Sequence, residues 1–211
     1  MANNHEPRCR QCRREGEKLF IKGEKCILHC TMDKEKRSKP PGMHVGGFFQ
    51  KKVTEYGVQL REKQKLRRIY RVLEGQFHHY MDEAERKHGV TGENLLQILE
   101  LRLDNVIYRM GLSASRAQAR QLVSHRFFTV NGRRVNIPSF LVKPGDEIGV
   151  FESKLQTEAI KVLRAKIHTR NLPEWMEFNA NDLVGKVISA PTREQIDTNI
   201  QEQLIVEFYS R

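Results

Sequence analysis

Between residues 54 and 111, apolar positions recur every three or four residues, the spacing of one helix face. In VQLREKQKLRRIYRVL, Leu66, Ile69, Tyr70 and Leu73 form an apolar stripe, while Leu60, Lys63 and Arg67 mark another. The pattern turns helical at Thr54. A second helix is expected over residues 74–87, with Phe77, Tyr80, Met81 and Ala84 inward and Gly89 as its stop. A third should run from about Gly92 through Leu95, Leu96, Ile98, Leu99 and Leu103 to Met110 and Gly111.

The period then changes. Ser113 and Ser115 offer N-caps for a short helix through His125, with Ala117, Leu122 and Val123 turned to the core. FFTVNGRRVNI reads as two β-rich strings about Asn131 and Gly132, the strongest short-range hairpin signal. Lys143, Pro144, Gly145 and Asp146 make a turn, and EIGVF is the strand after it. Residues 153–170 suggest an amphipathic helix, and the closing LIVEFY reads as an apolar strand. Residues 1–33 hold too few apolar positions for a core of their own. Residues 34–53 mix basic residues with prolines and glycines, which suits an extended arm. The expected fold class is α+β, with the body made of residues 54–98 and 152–211 and a separate helix–hairpin module at 99–151.

Charge narrows the partner. Thirty-seven Lys and Arg stand against 26 Asp and Glu, a formal net charge of +11. Such an excess suits a polyanion, because Lys and Arg release counterions when they meet phosphates. The excess is uneven. Residues 1–52 carry a net +7 and residues 100–151 a net +4, while residues 152–211 carry −1. Two contact regions joined by a structural remainder are expected. No run of about 18 apolar residues suggests a membrane span, and MANNHEPRCR lacks the apolar core of a secretory signal. A cytoplasmic setting without a membrane partner is expected.

All four cysteines fall within the first 30 residues, as Cys9-x-x-Cys12, thirteen residues, then Cys26-x-x-x-Cys30. Two close pairs separated by about a dozen residues are what a tetrahedral thiolate site needs. Neighbouring Lys and Arg would favour the thiolates, and metal would supply folding energy that the segment cannot draw from a core. Zinc is the expected metal and the site structural. An iron–sulfur cluster is the alternative, and His29 is an alternative ligand.

In the central module Arg116 and Arg120 are i and i+4 on the short helix, hence on one face. The hairpin tip adds Asn131, Gly132, Arg133 and Arg134. A basic helix and a basic turn together suit the backbone of folded RNA, which is recognised largely by shape. RLDNVIYRMG, SRAQARQLV, TVNGRRV and VKPGDEI in this order resemble the S-four RNA-binding domain, a small αα-then-β unit. The cysteine knuckle, the PPG arm, LREKQKLRRIY and QLIVEFYSR extend the resemblance to bacterial small-subunit ribosomal proteins of the S-four family over nearly the whole chain.

That resemblance implies a non-catalytic ribosomal protein that binds small-subunit ribosomal RNA early in assembly. It implies contact with neighbouring ribosomal proteins, a position near incoming mRNA, an influence on decoding accuracy and, in some members, repression of the protein's own operon mRNA. The RNA-binding residues carried over are Arg116, Arg120, Arg133 and Arg134. Arg61, Lys63, Lys65, Arg67 and Arg68 join them from LREKQKLRRIY, where basicity all round the helix suggests phosphate on several sides.

Signals of catalysis are weak. Arg102-Leu103-Asp104 resembles the tripeptide around the catalytic Asp of some pseudouridine synthases, but here it lies inside the RNA-binding module, where a capping or ion-paired Asp104 is expected. No phosphate-binding Gly-rich loop and no His-Glu-x-x-His motif is present. His78 and His79 are expected at the surface and Trp175 in a core.

Overall fold

The computed structural model describes residues 6–34, 38–42, 53–164 and 172–210. Most of the expected basic arm, residues 35–37 and 43–52, lies outside the described residues, as does the end of the helix expected over 153–170. The chain divides into two compact units, residues 1–92 with 198–211, and residues 93–197.

In the first unit, α1 (Arg8–Glu15) and α2 (Glu24–Leu28) frame the cysteine segment. Helix α3 (Glu55–Tyr70) starts where Thr54 Oγ1 accepts a hydrogen bond from the Gly57 N–H at 3.2 Å. It ends at Arg71, in the left-handed region at φ 57°. Helix α4 (Glu74–Arg86) buries Phe77, Tyr80, Met81 and Ala84, the four residues its periodicity turned inward. The closing LIVEFY is not a strand. It belongs to helix α9 (Glu202–Tyr209), which packs on α3 with Ile205 fully buried. Short apolar runs do not distinguish strand from buried helix, and among the described residues this run meets a helix and no strand. A Cβ on Gly92 would lie 2.7 Å from Glu202 Cγ, so glycine is what lets α9 approach.

The third expected helix is two. Helix α5 (Thr91–Glu100) stops, and α6 (Leu103–Arg109) starts after Arg102 adopts an extended conformation. Arg102 forms a β-bridge with Leu141. The Leu103 N–H donates to the Phe140 carbonyl at 2.8 Å and the Val142 N–H to the Leu101 carbonyl at 2.9 Å. Bonding to a distant segment thus replaces two helical residues. Helix α7 (Arg116–Ser124) begins at Ser115, whose Oγ accepts from the Gln118 N–H.

Strands β1 (Phe128–Val130), β2 (Arg133–Val135), β3 (Glu147–Val150), β4 (Met176–Asn179) and β5 (Val184–Val187) form one antiparallel sheet in the order β2-β1-β3-β5-β4. Pairing of β3 with β5 places residues 172–197 with the module, not with the helical body where residues 152–211 were expected. Phe128, Val130, Ile148, Met176 and Val187 point from the sheet into a core with Leu103, Val106, Ile107 and Trp175. The helix expected over 153–170 is reduced to a short helical turn at Glu152–Lys154 and α8 (Glu158–Arg164) among the described residues.

Candidate nucleic-acid interface

Helices α6 and α7 pack together, and two consecutive residues of α6 each hold one arginine of α7. Asp104, 5% exposed, accepts Arg120 Nη1 at 3.2 Å and Arg102 Nη2 at 2.7 Å. Asn105, 1% exposed, accepts Arg116 Nε at 2.7 Å through Oδ1. Its Nδ2 donates to Glu100 Oε2 at 2.6 Å, and Glu100 receives both nitrogens of the Arg109 fork at 3.0 and 2.7 Å. Arg116 also lies over the Tyr108 ring, 4.6 Å from its centroid. The expected shared face of Arg116 and Arg120 is therefore present, each guanidinium partly exposed and anchored from beneath. Asp104 is ion-paired, as RLDNVIYR suggested, and Asn105, Glu100 and Tyr108 are anchors that the sequence reading missed. Their signal was their proximity in sequence to Asp104.

The hairpin carries the other pair. Asn131 and Gly132 have φ of 49° and 76°, the left-handed pair that a type I′ turn requires. The Asn131 side chain donates to Asp146 Oδ1 at 2.8 Å and accepts from the Glu147 N–H at 2.9 Å, which ties the hairpin tip to the Lys143–Asp146 turn. Arg133 and Arg134 are both exposed on β2. Arg134 lies over Phe151, 3.7 Å from the ring centroid, and Lys154 over Phe127 at 5.1 Å. Phe128 is fully buried in the core, and the half-buried Phe127 packs against the same core from its edge.

The basic row of α3 behaves differently. Lys63 and Lys65 are buried, and all five cations named from this helix meet carboxylates within the first unit. Lys63 pairs with Glu74 and stands over the rings of Phe208 and Tyr209 at 4.6 and 5.2 Å. Lys65 reaches Glu17 at 2.7 Å and Glu62 at 3.7 Å, Arg67 reaches Glu74 at 3.7 Å, and Arg61 and Arg68 share Glu15. Much of the charge round this helix thus has an internal partner. Only Glu62, three residues from Lys65, was visible locally. Burial pushes the Glu15 carboxyl up even though Arg68 and Arg61 oppose it, and the same burial lowers Arg68. Glu74 goes the other way. Its partial burial is outweighed by Lys63, Tyr209 and Arg67, and its carboxyl lies below the usual range.

Around the cysteines, Cys12 and Cys26 are buried and Cys9 and Cys30 partly so. Thr31 Oγ1 donates to Cys9 Sγ at 3.5 Å, and the Lys22 N–H to Cys26 Sγ at 3.3 Å. Burial first, and then the negative charge of the other three sulfurs, raises Cys12. Four thiols suit zinc by donor chemistry, and Cys12 packs with Leu19 and Ile21 in a miniature core. Among the described residues, no three or more Cys, His, Asp or Glu stand in a metal-holding cluster. His29 is exposed.

The helix–hairpin unit places this chain in a recognisable class, for residues 101–148 match the S4 domain. Residues 3–100 match the ribosomal protein S4/S9 N-terminal domain. The chain is 55% identical to the small ribosomal subunit protein uS4 of Desulforamulus reducens and 54% identical to that of Ruminiclostridium cellulolyticum, in both cases over the full length of both chains. It is 57% identical to the uS4 of Pelotomaculum thermopropionicum over 96% of each. The chain belongs to the uS4 family of small-subunit ribosomal proteins. No described helix is long and apolar enough to cross a membrane.

Proposed function

We propose that this chain is a non-enzymatic structural constituent of the small ribosomal subunit, in the cytoplasm, which binds small-subunit ribosomal RNA early and nucleates assembly of the subunit body. The single observation that carries the reading is the pair of exposed arginines on a locked hairpin, Arg133 and Arg134, in the same domain as the anchored Arg116 and Arg120. A rigid turn and a rigid helix offer four guanidiniums with little entropy left to lose, which suits the fixed phosphate spacing of folded RNA. From α3, Arg61 is the most exposed of the five cations and the best placed to reach phosphate; Lys63, Lys65, Arg67 and Arg68 act first as internal partners.

The finer roles belong to the same proposal. The protein touches neighbouring small-subunit proteins and mRNA where it enters the subunit, supports decoding accuracy, and represses its own operon mRNA through the same arginines. Cys9, Cys12, Cys26 and Cys30 hold one structural zinc ion, which pins the N-terminal segment. Zinc would supply cross-linking of α1 to α2 and no chemistry on RNA. Cosedimentation with the small subunit through a high-salt gradient tests the assignment, and a protein that stays at the top of the gradient overturns it.

A further inference from the structure

Beneath the cysteine segment, α1 and α3 leave a cavity of about 430 Å³. Its walls include Arg10 and Arg14 of α1, Arg68 of α3, and Glu6, Gln11 and Pro41. Arg10 and Arg14 are i and i+4, so both project from one face of α1, and both are exposed. Neither is ion-paired among the described residues. Arg68 closes the cavity from the other side. Its Nη1 is held by Glu15, while its buried Nε has no hydrogen-bond partner among the described residues.

The remaining wall is also organised. Glu6, the one carboxylate lining the cavity, is engaged by Gln11 Nε2 at 3.1 Å. The Arg13 side chain donates to the Lys39 carbonyl at 2.8 Å, which fixes the segment that brings Pro41 to the rim. With Arg68 paired to Glu15, the exposed Arg10 and Arg14 stand against Glu6 alone, which leaves the cavity net positive. Its volume falls in the range of small-ligand pockets, so it admits a phosphate with part of its nucleotide.

The geometry points to this cavity as a phosphodiester-binding site, with Arg10 and Arg14 clamping one RNA backbone phosphate on the side opposite Arg68. The site deepens the ribosomal RNA reading and rests on it. It is separate from the helix–hairpin arginines, because all its residues lie in the first unit. An RNA phosphate is favoured over a free anion because the cavity admits more than a phosphate and the segment around it holds the larger share of the chain's positive charge.

Arginine-specific labelling of the full-length protein with phenylglyoxal, mapped by mass spectrometry, tests the site directly. Arg10 and Arg14 should react in the free protein and be protected by a small-subunit rRNA transcript, but not by millimolar inorganic phosphate. Arg10→Ala with Arg14→Ala should lower the log–log salt slope of rRNA binding by about 1, the share of one phosphate. Arg10 and Arg14 remaining reactive under bound rRNA would overturn the site. So would protection by phosphate alone, which would mark a free-anion pocket. Failure of the unaltered protein to bind rRNA would instead remove the ribosomal RNA reading. Binding that is weakened by Arg133→Ala with Arg134→Ala, yet leaves Arg10 and Arg14 reactive, would remove only the cavity.

Discussion

Arg120 Nη1 lies 3.2 Å from Asp104 Oδ2, the same oxygen that receives Arg102 Nη2 at 2.7 Å. One buried carboxylate therefore serves two ends. It compensates Arg102, 1% exposed, and it sets the direction of Arg120 at the surface. Asp104→Ala leaves a buried guanidinium without its carboxylate, and removing one partner of a buried pair usually costs several kcal/mol. Urea unfolding should show a loss of roughly 3 kcal/mol or more. A loss below about 1 kcal/mol, the level of an exposed pair, would show that the carboxylate does not compensate Arg102.

Arg133 and Arg134 test the surface in the opposite way. Both are exposed, and the turn between β1 and β2 is held by Asn131, not by either arginine. Arg133→Ala with Arg134→Ala should therefore change stability by no more than about 0.5 kcal/mol per site. The log–log salt slope of rRNA binding should fall by up to about 2. Thermal melts and filter binding over a salt series separate the two effects. An unchanged slope removes the hairpin from the interface.

The sequence made local features legible and hid those that distant segments decide. Asn131 and Gly132 announced the hairpin because the turn's two positive φ values are a property of those residues alone. The break at Arg102 could not be read, since the helical spacing of Leu99 and Leu103 runs through it and the cause is pairing with Leu141. LIVEFY satisfied a strand by composition, and only the face of α3 beneath it makes it a helix. In the same way, LREKQKLRRIY looked like free charge because Glu15, Glu17 and Glu74 are supplied from elsewhere in the chain. Basic composition located the charged segments, but not which cations remain available.

Glu74 gives the helical unit a pH dependence. Despite partial burial, Lys63, Tyr209 and Arg67 hold its carboxyl below the ordinary value. A group depressed on folding contributes stability above its unfolded pKa and loses it as pH falls through its folded one. Stability should therefore fall on acidification from the ordinary carboxylate range downward. Glu74→Gln should flatten that part of the profile while weakening the hold on Lys63 and Tyr209 at neutral pH. Denaturant midpoints measured from pH 7 down to about pH 3 decide it, and matching slopes for the two proteins would exclude Glu74 as the source.

The cysteine segment makes the last prediction. Cys12, Leu19 and Ile21, with Met32 and Ile69 packed against them, form only a small core for residues 6–34, so the proposed zinc cross-link between α1 and α2 should add to the order of the segment. Zinc held by Cys9, Cys12, Cys26 and Cys30 is that cross-link in the proposal above. Purified protein should carry about one zinc per chain, counted by elemental analysis with iron measured in parallel. Cys12→Ser removes the more buried sulfur of the first pair, and zinc content should drop well below one. Because α1 also carries Arg10, Arg14 and Glu15, loss of metal should make residues 6–34 more sensitive to protease and weaken rRNA binding. Helix α7 and the hairpin, which lie in the other unit, should keep their hydrogen-exchange protection. Metal-free protein with unchanged protease resistance would mean that the segment is ordered by its ion pairs, chiefly Glu15 with Arg68 and Glu17 with Lys65, and not by zinc.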